Sequence, residues 1–247
     1  KLQSQLTDKY VVVDDRRPEL KRFSGLTGTV KTVNFSGRAL VQFDGHNNIG
    51  WYDIDPAFLK VVDEPLPLIG DAAMRTEGGV KKRAEELKKA GKSDAEIEYE
   101  LRKYYESLPR YQFAANRHTL TFGDELIATL KITDANGVRL PYTIGDVYIQ
   151  GDPLFMRGRL GTPDFNDSGF PPDGVADDGI TTFHWKIPGE DKKFWGNLRL
   201  VVVVKPKDSK EPIEITHTFF SSPVSPAKFT DQFSERLDNG SLVIDTV

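Results

Sequence analysis

An acidic segment between residues 164 and 179 carries the clearest candidate for chemistry in this sequence. It begins Asp164-Phe165-Asn166-Asp167-Ser168-Gly169, with oxygen-bearing side chains at positions 1, 3 and 5 and glycine at position 6. Short oxygen ligands at alternate positions can converge on one hard cation, and the glycine permits a sharp turn. The segment therefore predicts a Ca²⁺ site, with these ligands: Asp164, Asn166 and Ser168 through side chains, Phe170 through its carbonyl, and Asp173 or Asp177 to close the shell.

The alternative interpretation of this segment is a turn without a metal. The twelfth position is Val175, so the bidentate glutamate that closes a helix-loop-helix calcium site is missing. Aspartate, asparagine and glycine are also the residues that form ordinary polar turns. Both interpretations stay open on the sequence alone.

A second candidate set, for ligand binding, comprises Arg38, Trp51 and Tyr52. Aromatic rings can stack on bases or sugars, and a guanidinium can bind an anionic group. Residues 1–62 hold nine basic and seven acidic side chains, interleaved along the chain. The resulting field is weak, which disfavours nucleic acid as the partner.

The sequence lacks the common catalytic signatures. It has no cysteine, which excludes disulfides, thiolate metal sites and a cysteine nucleophile. Its four histidines are scattered, and His217 alternates with Ile215 and Phe219 as a buried histidine with a partner would. No nucleophile elbow, phosphate-binding loop or dinucleotide fingerprint occurs. We therefore favour a protein that is not an enzyme, while an enzyme whose site assembles across modules stays open as an alternative.

Composition describes a folded, mildly acidic protein. The 247 residues are 38% hydrophobic and 28% charged, with a net charge of −4. This balance is typical of a globular chain and argues against a general polyanion binder. No run approaches the roughly 18 apolar residues of a membrane-spanning helix.

Residues 1–66 predict a small β-barrel. Short apolar strands at Tyr10–Val13, 28–33, 39–43, 51–54 and 58–62 are separated by turns rich in glycine. The stretch 23–30, with its Gly25-x-x-Gly28-x-Val30 spacing, followed by 39–43, resembles KOW and SH3-like barrels. The resemblance implies a module that binds nucleic acid, peptides or partner subunits.

Residues 67–110 predict a helical hairpin after the stiff linker at 64–67. Val80, Ala84 and Leu87 share one helical face, and Ser93 with Glu96 predicts a capping box at the second helix.

Residues 111–222 predict an all-β sandwich, because apolar and polar residues alternate over several strands. The pattern Asp134-x-x-Gly137-x-x-x-Pro141 and the turn at 174–181 resemble bacterial immunoglobulin-like domains of secreted and surface proteins. The resemblance implies a periplasmic or extracellular setting and a structural or binding role. A tail, 223–247, either pairs with the sandwich or leads into a further β domain.

The fold class expected is thus mainly β and modular: an SH3-like barrel, a helical hairpin and an immunoglobulin-like sandwich. We expect a non-enzymatic structural or binding protein of the bacterial cell envelope, periplasmic or at the cell surface, whose partner is a protein or a surface polymer. The alternatives are a nucleic-acid-associated factor that uses the barrel and a hydrolase acting on a wall or surface polymer.

Overall fold

The fold is mainly β, and the residues that the structure describes form three five-stranded sheets and few helices. The computed structural model describes residues 2–14, 16–44, 51–70, 74, 77–151, 158–188, 194–207, 209 and 211–222. The predicted tail at 223–247 lies outside these residues. Within them, none of the helices has the length and apolarity needed to cross a membrane.

The first sheet, called the N-terminal sheet, follows a short helix α1 (Leu2–Leu6). Its strands are β1 (Tyr10–Val13), β2 (Gly28–Val33), β3 (Ala39–Phe43), β4 (Tyr52–Ile54) and β5 (Leu59–Val62), in the spatial order β4-β3-β2-β1-β5. The last strand returns to pair with the first, since β1 lies between β2 and β5. Every strand predicted for this region is present, within one residue at its ends.

The core of the N-terminal sheet is small and aromatic. Phe23, from the 3₁₀ turn Pro18–Phe23, stacks on Phe43 with ring centroids 4.0 Å apart. Gly28 makes the close packing possible, because a Cβ at this position would clash with a methyl carbon of Val41. A glycine is therefore required where β2 begins.

The remaining elements form a two-sheet sandwich and a helical hairpin. In chain order they are β6 (Leu68–Ile69), α2 (Glu77–Lys89), α3 (Asp94–Ser107), β7 (Arg110–Ala115), β8 (Thr119–Thr121), β9 (Glu125–Thr133), β10 (Tyr142–Gln150), β11 (Arg159–Gly161), β12 (Asp164–Asn166), β13 (Ile180–Lys186), β14 (Gly196–Pro206) and β15 (Ile213–Ser222). One sheet has the order β12-β13-β9-β7-β6 and the other β11-β10-β14-β15-β8. Among the strand pairs in the described residues, only the pair of β15 and β8 is parallel.

The sandwich core is built by alternation along the strands of both sheets. In β9, Leu126, Ala128, Leu130 and Ile132 are buried, as the period of two predicts. From the facing sheet, the buried apolar side chains of β14 pack into the same cluster: Leu198, Leu200, Val202 and Val204. Complete burial of such a side chain stabilises the fold by about 1.5–3 kcal/mol.

The helical hairpin is inserted into the sandwich rather than placed before it. Strand β6, which precedes α2, pairs with β7, which follows α3. The sandwich therefore begins at Leu68, whereas the sequence pattern had placed its start at 111, because a two-residue strand is too short to show a period. The capping box is confirmed: the Glu96 main-chain N–H lies 3.4 Å from the Ser93 hydroxyl, and the Ser93 N–H donates to the Glu96 carboxylate at 2.8 Å.

Candidate functional site

A surface groove of about 690 Å³ lies along one side of the sandwich. One wall is the start of β10 and the residues before it; the other is β12 with the acidic segment that follows. These walls belong to opposite sheets, and β12 is the edge strand of its sheet. The lining residues are Arg139, Leu140, Pro141, Tyr142, Thr143, Ile144, Phe165, Asn166, Asp167, Asp177, Asp178, Gly179 and Thr181.

The groove follows the edge of β10 rather than one of its faces. Six consecutive residues, 139–144, line it. A sheet face would contribute only every second residue, because successive side chains point to opposite sides of a strand. The main chain of β10 is therefore part of the groove wall.

The outer edge of β10 is open over its first residues. On its inner side, β10 pairs with β14 from Tyr142 to Gln150. On its outer side, β11 reaches only Ile149 and Gln150. No other strand in the described part of the chain pairs with that edge.

The direction of the free main-chain groups follows from one hydrogen bond. Lys207 N–H donates to the Pro141 carbonyl at 2.7 Å, so Pro141 faces β14. Residues along an antiparallel strand alternate between the two edges. Tyr142 and Ile144 therefore direct their N–H and C=O groups into the groove, whereas Thr143 pairs with Lys205.

The side chain of Tyr142 fixes this edge to the opposite sheet. Its hydroxyl donates to the Leu130 carbonyl at 2.9 Å and accepts from the Thr181 main-chain N–H at 3.2 Å, and it lies 2.8 Å from the Thr181 hydroxyl. Burial raises the pKa of Tyr142. The phenol is thus a neutral anchor, and no proton transfer is assigned to it.

The acidic wall is ordered by hydrogen bonds from its own main chain. The carboxylate of Asp167 accepts from Asp178 N–H at 3.2 Å and from Gly179 N–H at 3.1 Å. Asp178 accepts from Ile180 N–H at 2.8 Å. Asp177, at the rim, is exposed and has a positive φ of 54°. The groove therefore presents three carboxylates, two of them held by main-chain N–H groups, against one guanidinium, that of Arg139.

The predicted calcium ligands occupy several parts of this segment. Asp164 and Asn166 lie at the two ends of β12, and Asn166 accepts from the Ser168 hydroxyl at 3.1 Å. Asp173 is buried and accepts from Gly169 N–H at 2.6 Å; this bond, above all, lowers the pKa of Asp173. Phe170 and Asp177 are exposed. Across the described ranges, no three histidine, aspartate and glutamate side chains are grouped as metal ligands, and the calcium site stays a prediction.

The predicted ligand-binding residues Arg38, Trp51 and Tyr52 all make contacts within the chain. Arg38 pairs with Asp53, in the neighbouring strand. Trp51 packs edge-on against Phe220 of the sandwich, with ring centroids 4.9 Å apart. Tyr52 packs against Phe23 at 4.6 Å in the core of the N-terminal sheet. Trp51 is half-buried, and it connects the two modules.

A cluster of buried and half-buried polar groups joins the N-terminal sheet to the sandwich. We call Asp8, Lys31, Asp44, His118 and His217 the interface cluster. Lys31 Nζ donates to the His118 carbonyl at 3.1 Å, and His118 N–H donates to Asp8 Oδ1 at 3.2 Å. His118 Nδ1 lies 3.2 Å from His217 Nε2. The Tyr10 hydroxyl adds a bond from Ala115 N–H at 2.8 Å.

Burial shifts the pKa of each charged group in the interface cluster. It lowers the pKa of Lys31 to about 8, opposed by the charges of Asp44 and Asp8. It raises the pKa of Asp44 to about 6, opposed by Lys31. It lowers the pKa of His217 to about 3 and that of His118 well below the usual value. The two imidazoles are therefore neutral near pH 7.

Sequence reasoning anticipated part of this cluster. His217 is buried with a partner, as its alternation with Ile215 and Phe219 predicted. Lys31 was not anticipated, because a lysine between valine and threonine in a strand is typical of a solvated face. The open edge of β10 was also missed, since no local pattern shows which strand lacks a neighbour.

Comparisons with known proteins give partial structural likeness only. No family model matches the chain, and no curated protein matches it. A DUF4785 family protein from Legionella pneumophila subsp. pneumophila str. Philadelphia 1 is 15% identical with a TM-score of 0.33, over 46% of this chain and 29% of that one. The chain thus spans less than a third of that protein.

A conjugative transposon lipoprotein from Bacteroides eggerthii DSM 20697 is 9% identical with a TM-score of 0.24, over 44% of this chain and 95% of that one. At these scores neither structure carries an argument about function.

Proposed function

We propose that this protein is a non-enzymatic binding protein, in which the N-terminal sheet and the sandwich form one scaffold and the sandwich groove holds the partner. The observation that carries the proposal is the groove itself, lined by a strand edge whose main-chain groups face outward. The carboxylates of Asp167 and Asp178 accept main-chain N–H bonds and so hold one wall of the groove in place.

The N-terminal sheet has a supporting role in this proposal. We interpret it as an SH3-like barrel, because its last strand closes on its first. The three side chains that would have made it a ligand-binding face are engaged by Asp53, Phe220 and Phe23. We therefore assign binding to the sandwich rather than to the barrel.

The setting in the bacterial cell envelope belongs to the same proposal and rests on the hairpin of the immunoglobulin-like pattern. Asp134 forms this turn by accepting from Asn136 N–H at 2.8 Å and Val138 N–H at 2.9 Å, and Gly137 has a φ of 82°. Fractionation of cells that express the native gene tests this setting, and recovery with the cytoplasmic fraction alone would contradict it.

The binding proposal is tested by nuclear magnetic resonance with the full chain. We would record amide spectra with a basic peptide, an acidic peptide, a peptidoglycan oligosaccharide and a DNA duplex. The proposal expects at least one of the first three to shift the amides of Thr143, Ile144 and Gly179.

Thr143→Trp fills the exposed groove rim and should abolish those shifts. Thr216→Trp, at an exposed position on β15, is the matched control and should leave them intact. Shifts confined to the N-terminal sheet with DNA, or no shifts with any ligand, would overturn the proposal.

A further inference from the structure

We infer that the groove receives an extended, basic peptide segment of a protein partner, which pairs with the open edge of β10 and places its lysine or arginine side chains against the acidic wall. This inference rests on the proposed function and names the class of ligand. Two independent features of the groove lead to it. The main-chain groups of Tyr142 and Ile144 face the groove from one wall without a partner in the described part of the chain, and carboxylates are in excess along the other wall.

The main-chain groups of the first wall select a peptide. Tyr142 and Ile144 present N–H and C=O groups to the groove, because the Pro141 carbonyl accepts from Lys207 N–H and Thr143 pairs with Lys205 of β14. A strand added to an exposed sheet edge satisfies such groups in the way that an interior neighbour would. An oligosaccharide or a nucleic acid lacks the regular alternation of donor and acceptor that this edge would match.

The length of the groove fits a short segment. Its first wall runs from Arg139 to Ile144. Arg139 and Leu140 already pair with β9, through the Thr133–Arg139 bridge and the hydrogen bond from Leu140 N–H to the Ile132 carbonyl at 2.9 Å. The open part of the edge therefore runs from Pro141 to Ile144 and spans roughly 10 Å, at about 3.3 Å per residue. Strand β11 and the ion pair between Arg159 and Asp146 border the next part of β10. The segment that pairs with the edge is therefore short.

The second wall selects the charge of the ligand. Asp167, Asp177 and Asp178 lie along it, with Arg139 as the one cation among the lining residues. The carboxylates of Asp167 and Asp178 are held by main-chain N–H groups, so they are already ordered before any ligand arrives. Ordered carboxylates attract a lysine or arginine side chain without the entropic cost of ordering them on binding.

The apolar lining sets the pattern of the segment. Leu140, Ile144 and Phe165 line the groove, and Phe165 is 46% exposed. Alternate side chains of an extended peptide point to opposite sides. A segment that alternates basic and apolar residues therefore directs its charges toward the aspartates on one side and its apolar side chains to the other side, with Leu140 and Ile144 on the first wall and Phe165 on the second available as apolar contacts.

The test uses a seven-residue peptide of alternating lysine and valine with the full-length protein. We expect binding that weakens as salt is added, since both partners are charged. Two matched peptides test the two features separately. One replaces each lysine by glutamate and tests the acidic wall. The other carries N-methyl groups on alternate amides and tests the main-chain pairing with β10. Each should bind at least about tenfold more weakly than the lysine peptide. A tenfold change in affinity corresponds to about 1.4 kcal/mol.

Variants of the protein give the complementary test. Asp177→Lys reverses an exposed charge at the groove and should weaken the lysine peptide while strengthening the glutamate peptide. Glu106→Lys, at an exposed position on α3, is the control and should change neither.

Equal binding of the lysine and glutamate peptides, or equal binding of the N-methylated peptide, would overturn the inference. A groove that responds to the oligosaccharide and to neither peptide would overturn it while leaving the proposed function intact. A groove that responds to nothing contradicts both.

Discussion

The ammonium group of Lys31 lies 3.1 Å from the main-chain carbonyl oxygen of His118, and this hydrogen bond crosses from the N-terminal sheet to the sandwich. Lys31 is fully buried, with 0% of its surface exposed. A buried ammonium is costly unless it is paired, and here the charges of Asp8 and Asp44 oppose that cost. The interface between the two modules is thus organised around one lysine.

Replacement of Lys31 by methionine should strongly destabilise the protein at pH 7.5. The variant keeps the length of the side chain but leaves Asp44 without its cation and Asp8 with Arg117 alone. Loss of one partner from a buried pair costs about 3–5 kcal/mol. Urea unfolding of the full chain measures the change. Lys60→Met, at an exposed position on β5, serves as control and should fall within about 0.5 kcal/mol of the wild type.

The destabilisation by Lys31→Met should also shrink at acid pH. Without Lys31, the pKa of Asp44 rises further, and its protonation removes the uncompensated charge. The same substitution removes a cation that lowers the pKa of both histidines. Both effects favour the variant as pH falls, so a difference from the wild type that is independent of pH would contradict the assignment of Lys31 to this cluster.

The stability of the wild-type protein should fall as pH drops below about 6.5. His118 and His217 have lowered pKa values in the folded state, whereas in the unfolded chain they titrate near 6.5. Between these values the unfolded chain binds more protons, and each histidine lowers stability by up to about 1.4 kcal/mol per pH unit.

Asp44 opposes part of this loss. Its pKa is raised to about 6, so between about 6 and its unfolded value near 3.8 the folded state binds the extra proton and gains stability as pH falls. Urea unfolding at pH 7.5, 6.5, 5.5 and 4.5 measures the net slope. His217→Asn removes one titrating group and should flatten it; an identical slope in this variant would show that His217 does not contribute.

The strands were predictable from sequence because they obey a local rule. Alternation placed Leu126, Ala128, Leu130 and Ile132 on the buried side of β9, and the structure confirms it. The groove and the interface cluster depend on contacts between elements that are distant in the sequence. Local sequence patterns do not predict such contacts. In the sequence, Lys31 resembles a surface residue, and only the structure shows that the sandwich buries it. Tyr142 likewise resembles an ordinary strand residue, and only the structure shows that it lies on an open strand edge.

The start of the sandwich also could not be predicted from a local sequence pattern. Leu68 and Ile69 form a strand of only two residues, which stands in the sheet because β7 provides its partner. A pattern of period two needs about four residues to be recognised. The acidic segment was recognised by composition, but its hydrogen bonds, such as Gly179 N–H to Asp167, required the fold.

Removal of the Tyr142 hydroxyl should loosen the groove from the opposite sheet. In Tyr142→Phe, the Leu130 carbonyl and the Thr181 N–H both lose a partner. Thr181 and Leu130 remain partners in the antiparallel pair of β13 and β9. The expected cost is therefore that of the lost side-chain hydrogen bonds, about 0.5–1.5 kcal/mol each, which urea unfolding resolves. Tyr99→Phe, on a ring that is 59% exposed on α3, should have no measurable effect. Equal effects of the two substitutions would show that the hydroxyl bonds of Tyr142 do not stabilise the fold.

The calcium prediction is tested by thermal unfolding with a chelator and with millimolar Ca²⁺. A cation held by Asp164, Asn166 and Ser168 would stabilise the folded state by mass action, by about 2.7 kcal/mol at a hundred times the dissociation constant. Asp164 is exposed at the end of β12, so Asp164→Ala should melt like the wild type in chelator and lose the calcium-dependent rise.

Asp173 provides the contrasting variant, because its carboxylate already serves the fold. It is 6% exposed and accepts from Gly169 N–H at 2.6 Å, so Asp173→Ala should lower the melting temperature even in chelator. A rise with Ca²⁺ in the wild type that disappears in Asp164→Ala supports the site. Equal melting temperatures of the wild type in chelator and in Ca²⁺ would contradict it, and the carboxylates of this segment would then act only as acceptors for their own main chain.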